Sequence, residues 1–129
     1  MTSKSAFRRF KADDKNRVKW GIVSLKFLAT NSTQGNPSWW LMGANNKQVA
    51  WAGEIFASVA NAVRAASAFK SSSSTAVYEV FQDAESKWRW RALVSSDKVA
   101  SSGESFDSKW NAERAAENVR VNARFADGP

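Results

Sequence analysis

Slid against itself by 50 positions, the chain matches at Trp40/Trp90, Val49/Val99, Ala50/Ala100, Gly53/Gly103, Glu54/Glu104 and Phe56/Phe106. The identities continue at Ser58/Ser108, Asn61/Asn111, Ala62/Ala112, Arg64/Arg114, Ala65/Ala115 and Ala66/Ala116. Twelve of 27 positions between residues 40–66 and 90–116 agree without a gap, where chance supplies about one or two. An internal duplication constrains the fold more than any other feature, since both copies must satisfy the same architecture.

Each copy follows one grammar. Trp88-Arg89-Trp90-Arg91-Ala92-Leu93-Val94 alternates aromatic with cationic side chains, the period of a strand with one buried face. Ser95-Ser96-Asp97-Lys98 reads as a turn, as does Asn45-Asn46-Lys47 in the first copy, since Asn tolerates positive φ. A further strand follows from Val99 (Val49) and ends at the shared Gly-Glu. Ser58 and Ser108 then precede helical patterns as N-caps, with Asn61 and Asn111 at the third helical position, where they could close a capping box. Val59, Ala62, Val63, Ala66 and Phe69 share one helical face, and Ala112, Ala115, Ala116, Val119 and Ala123 share another. Tyr78-Glu79-Val80-Phe81 adds a strand hairpinned to Trp88. The expected fold is α+β, with tandem β-β-β-α repeats as two pseudo-symmetric copies in one compact domain. Its first copy carries extra N-terminal strand, read over residues 17–29. The expected segments are a basic leader (1–16), a first repeat (17–70, helix 58–70), a serine linker (71–75) and a second repeat (76–124, helix 108–123).

Tyr78-Glu79-Val80-Phe81, Trp88-Arg89-Trp90-Arg91, Ser102-Gly103-Glu104 and a Ser108-led helix ending Asn118-Val119-Arg120-Val121-Asn122-Ala123 resemble the YegP-like family of small bacterial and archaeal proteins of unknown function. The resemblance covers residues 76–123, and residues 40–70 through the internal repeat; residues 1–36 fall outside it. It implies a tandem β-β-β-α fold and brings no catalytic residues with it.

The chain of 129 residues contains no Cys and no His. That excludes disulfides, thiolate metal sites and a Cys nucleophile, and it removes the side chain best suited to proton transfer near neutrality. The expectation is a non-enzymatic protein with no cofactor and no metal. No apolar run reaches the roughly 18 residues of a membrane span, and no apolar stretch follows the first lysine as in a secretory signal. A cytoplasmic protein without a membrane partner is expected.

The net charge of +7 is unevenly spread. Residues 1–36 carry eight cations against two acids, a net of +6, whereas residues 75–129 net −1. Arg8, Arg9, Lys11, Lys15, Arg17 and Lys19 could therefore form a nucleic-acid arm, each neutralised phosphate releasing counterions; a solubilising tail reads equally well.

Arg89 and Arg91, interleaved with Trp88 and Trp90, could grip phosphates while bases stack. The plainer reading is a solvated strand face paired with Glu79 or Asp83. Trp40 and Trp90, matched between copies, are expected in the core. Trp39, Leu41 and Trp51, matched to Arg89, Arg91 and Ser101, would then form an apolar patch on the opposite face, for self-association, intrachain burial or ligand stacking. Glu54/Glu104 and Arg64/Arg114 read as a structural ion pair made twice, because an adjacent Arg lowers a carboxyl pKa rather than preparing it to donate a proton.

Two functions fit: binding of single-stranded nucleic acid or RNA, and a protein-interaction module such as a homodimer.

Overall fold

A computed structural model of the protein describes residues 24–129. The first three strands are β1 (Lys26–Asn31), β2 (Pro37–Met42) and β3 (Gln48–Trp51), followed by helix α1 (Val59–Ser72). The same order recurs as β4 (Val77–Gln82), β5 (Trp88–Val94), β6 (Asp97–Ser102) and α2 (Lys109–Asn122). The six strands form one antiparallel sheet in the order β1-β2-β3-β6-β5-β4, so the two halves join through β3 and β6.

The helices begin where the capping serines place them. Ser58 Oγ accepts from the Asn61 amide at 3.1 Å, and Ser108 Oγ accepts from the Asn111 amide at 3.0 Å, which satisfies one otherwise orphaned donor in each first turn. The reciprocal half of the capping box is not made at Asn61, whose side-chain carbonyl instead accepts from Arg64. Helix α1 continues two residues into the serine segment. Ser73 beyond it is fully buried, its hydroxyl donating to the Lys70 carbonyl at 3.0 Å.

Both helices lie on one face of the sheet. Ala62, Ala66 and Phe69 of α1 and Ala112, Ala116 and Val119 of α2 are buried, and most join a single core with Phe27, Trp39, Leu41, Ala50, Trp90, Ala92 and Ala100. Trp39 anchors the first half: it stacks on Phe69 at 5.3 Å and meets the Phe27 ring edge-on at 5.5 Å. Trp90 does the same for the second half, 5.6 Å from Tyr78. The small side chains at 50, 92 and 100 leave the volume that two indoles require.

The structure corrects the strand faces read from the repeat. Trp39 and Leu41 have 0% exposure and sit in the core, whereas Trp40 is half-buried on the other face. The cause is one extra residue in the first hairpin. Leu41 pairs with Ala50 and Met42 with Gln48 across a loop holding a 3-10 turn, Ala44–Asn46. Ala92 pairs with Ala100 and Leu93 with Lys98 across a two-residue turn, Ser95-Ser96, whose φ angles are both positive (51° and 72°), as a twist-matched hairpin turn demands. The strands after the hairpins correspond at an offset of 50 and those before it at 51. Trp39 therefore matches Trp90, and Trp40 matches Arg91. One residue of slip exchanges every side chain between the faces of a strand.

The same equivalence accounts for a missing hydrogen bond. Phe106 and Trp88 exchange two main-chain bonds at 2.7 and 2.8 Å, but Phe56 and Pro37 make only one, at 2.8 Å, because proline has no amide to donate.

Candidate functional site

Neither helix covers the opposite face of the sheet. Across it runs one continuous row of directly opposed residues: Leu28, Trp40, Trp51, Ser101, Arg91 and Glu79. At the strand spacing of a sheet the row is about 24 Å long. Its first half is apolar and its second half is polar. Trp40 and Trp51 are neighbours at cross-strand contact distance, both half-buried, and Leu28 beside them is 43% exposed. The loop after β3 turns over one end of this face, where buried Ser38 donates to the Glu54 carbonyl at 2.7 Å.

Of the apolar patch expected at Trp39, Leu41 and Trp51, only Trp51 lies on this face, and its partner there is Trp40. The period-two alternation of Trp39-x-Leu41 against Trp90-x-Ala92 carries the signal that identifies the pair, once the hairpins are allowed unequal lengths.

The two arginines of β5 also lie on this face and are already paired. Arg89 Nε donates to Asp83 Oδ2 at 2.8 Å, and Arg91 Nε donates to Glu79 Oε1 at 2.9 Å. The Arg91 guanidinium also stands 5.1 Å above the Phe81 ring, a favourable place for a cation. Asp83 is held by more than Arg89, for its Oδ1 accepts the amides of Glu85 and Lys87, each at 2.9 Å. The Arg89 hydrogen bond, followed by these amides, keeps its carboxyl below the usual carboxylate range. Any phosphate approaching these arginines must share them with carboxylates, or displace them.

The seam between the halves explains the repeated Gly-Glu. Gly53 adopts φ +81°, and a Cβ there would stand 2.9 Å from Ser101 Oγ and 3.1 Å from Lys98 Nζ. A Cβ on Gly103 would lie 2.8 Å from the Gln48 side chain. Each glycine thus gives room to a residue of the other half. The repeated Glu and Arg do not pair with each other as expected: Glu104 meets Lys47 at 3.4 Å, and Arg114 stacks 4.7 Å over Trp110. An Arg one helical turn inside α1 or α2 is held by its own helix instead.

Arg8, Arg9, Lys11, Lys15, Arg17 and Lys19, and most of the strand read over residues 17–29, lie outside the described residues. Among the described residues, no group of three or more acidic side chains could hold a metal ion, and no helix is long and apolar enough to cross a membrane.

No family model matches the chain, and no curated protein matches it in sequence. Solved structures do. A solution NMR structure of YegP from E. coli, a protein of unknown function, superposes with a TM-score of 0.67 at 16% identity, over 81% of this chain and 90% of that one. A UPF0339 protein from Shewanella oneidensis gives 0.66 at 14% identity, over 78% and 86%. The fold is that of the YegP/UPF0339 structures, in agreement with the resemblance carried by the sequence.

Proposed function

We propose that this protein is a non-enzymatic cytoplasmic module that binds single-stranded nucleic acid on the sheet face opposite α1 and α2. The reading rests on one observation: Trp40 and Trp51 stand directly opposite each other on that face, in line with Ser101 and Arg91. Two adjacent indoles offer successive stacking surfaces to unpaired bases, worth about 1–3 kcal/mol each. A broad sheet face suits splayed bases better than the groove of a duplex. Arg8, Arg9, Lys11, Lys15, Arg17 and Lys19 supply the phosphate contacts, and Arg91 contributes at the polar end.

The two β-β-β-α halves are, on this reading, pseudo-symmetric tandem copies from a duplication. The first kept an aromatic surface and the second a charged one, at equivalent positions (Trp40/Arg91, Trp51/Ser101).

Tryptophan emission, followed against oligothymidylate and oligouridylate of about 15 nucleotides, tests the reading. The affinity read from quenching should fall by roughly 300-fold between about 50 and 200 mM salt, if six basic side chains each neutralise one phosphate of a single strand. Trp40→Ala and Trp51→Ala should each weaken binding while leaving the circular dichroism unchanged. Absence of quenching by either oligonucleotide at low salt would sink it.

The exposed apolar run of Leu28, Trp40 and Trp51 favours a second reading, a homodimer closed across this face. A dimer mass by light scattering that reverts to monomer on Trp40→Ala supports that alternative.

A further inference from the structure

The two edges of the sheet are treated differently. At β1 the chain's own tail adds as an outer strand, parallel to β1. The Phe27 amide donates to the Asp127 carbonyl at 2.8 Å, and the Asp127 amide donates to the Leu25 carbonyl at 3.0 Å. Ala126 is buried, Gly128 passes so close to β1 that a Cβ would meet the Phe27 carbonyl at 2.8 Å, and Lys70 Nζ holds the Gly128 carbonyl at 2.8 Å. At β4, the opposite edge, no described strand lies outside, and Val77 is 61% exposed.

The registers make the two edges equivalent. Phe27 faces Leu41 as Tyr78 faces Ala92, so the Tyr78 amide points out of the sheet as that of Phe27 does. Arg120 occupies the last turn of α2, as Lys70 does in α1. Between β4 and α2 lies a groove of about 260 Å³, floored by Tyr78, Val80 and Ala116 and rimmed by Glu113 and Arg120. Unpaired main-chain groups beside such a groove are what an added strand needs: hydrogen bonds for affinity and a recess for alternate side chains.

We propose that the β4 edge and the β4–α2 groove bind an extended peptide segment of a partner protein. The segment adds parallel to β4 and turns small side chains, alanine or glycine, into the groove. The seated tail is the template: it shows this fold accepting a small-residue strand on the equivalent edge, its carbonyl held by the cation of the neighbouring helix. The tail itself is engaged on β1, which leaves β4 to another chain.

The probe is a synthetic peptide, Ala-Arg-Phe-Ala-Asp-Gly-Pro, copying residues 123–129, titrated to about 1 mM into the isotope-labelled full chain. Amide shifts at Tyr78 and Val80, with Glu113 and Arg120, are expected. The same peptide N-methylated at its fifth residue, the copy of Asp127 whose amide pairs with the sheet edge in the tail, should bind about tenfold more weakly, the equivalent of one main-chain hydrogen bond. Val80→Pro, which removes an outward amide from an edge strand, should abolish the shifts. The proposal is overturned by shifts confined to β1, by equal binding of the methylated peptide, by no shift at all, or by a dimer paired through β4. An oligonucleotide that perturbs the same β4 amides overturns it too, by assigning the edge to nucleic acid.

Discussion

The Tyr78 hydroxyl donates to the Ser73 carbonyl at 2.7 Å, joining the first strand of the second half to the end of the helix of the first. Burial holds the phenol well above its ordinary value near 10, with nearby Arg120 acting against the shift and Glu117 adding to it. Because the folded state keeps the proton that the unfolded chain releases, the stability contributed here is complete below about pH 10 and is lost as pH rises above that. Thermal unfolding should therefore become easier above about pH 10, and Tyr78→Phe should remove that dependence. At neutral pH the variant should cost about 1 kcal/mol for the lost hydrogen bond.

Substitution at neighbouring tryptophans tests the face assignment. Trp39→Ala empties a buried site against Phe27 and Phe69, which should cost about 3–5 kcal/mol. Trp40→Ala, on the face opposite α1 and α2, should cost less than half of that. Urea denaturation of the two variants decides it: equal losses would contradict the one-residue offset between the hairpins.

Gly53 has two reasons to be glycine. Its φ of +81° penalises any other residue, and the Ser101 hydroxyl occupies the space a methyl would need. Gly53→Ala should destabilise by about 1–3 kcal/mol. Gly103→Ala should also destabilise, by pushing Gln48 away from the seam, and the pair should not add independently because both act on the β3–β6 junction. Chemical denaturation of the single and double variants measures this.

Asp83 gives the β4–β5 turn an acid-sensitive hold. Its folded pKa is depressed by Arg89 and by the amides of Lys87 and Glu85, so its support is present above the ordinary aspartate value and fades as pH falls below about 4. Protection of the amides in residues 83–89, taken relative to their intrinsic exchange rate at each pH, should fall below that pH. In Asp83→Asn protection should be lower at neutral pH and nearly independent of pH toward acid.

The helices were legible in the sequence because their signals are local: a serine cap and alanines at three- and four-residue spacing fix both start and buried face. The hairpin was harder. The offset of 50 is anchored by Val49 through Ala66, which follow the turn, and it carries on to Trp40/Trp90 without penalty. An insertion inside the loop of residues 43–47 leaves that identity intact while reversing its meaning, since both Trp39 and Trp40 can answer to Trp90. Turn length is decided by backbone geometry rather than by composition, so the face of Trp39 and Leu41 became visible only with the register. The tail on β1 left no trace in the sequence, as three residues are too few to show a period.

That tail sets the order in which this sheet can be finished. Lys26 and its outer partner Asp127 are separated by nearly the whole described chain, a contact whose loop-closure cost is among the highest between the described residues. During synthesis the edge of β1 lacks this partner until residue 127 has been made. Among the described strands β1 emerges first and receives its outer partner late, and that interval leaves a nascent chain exposed to pairing with a neighbour.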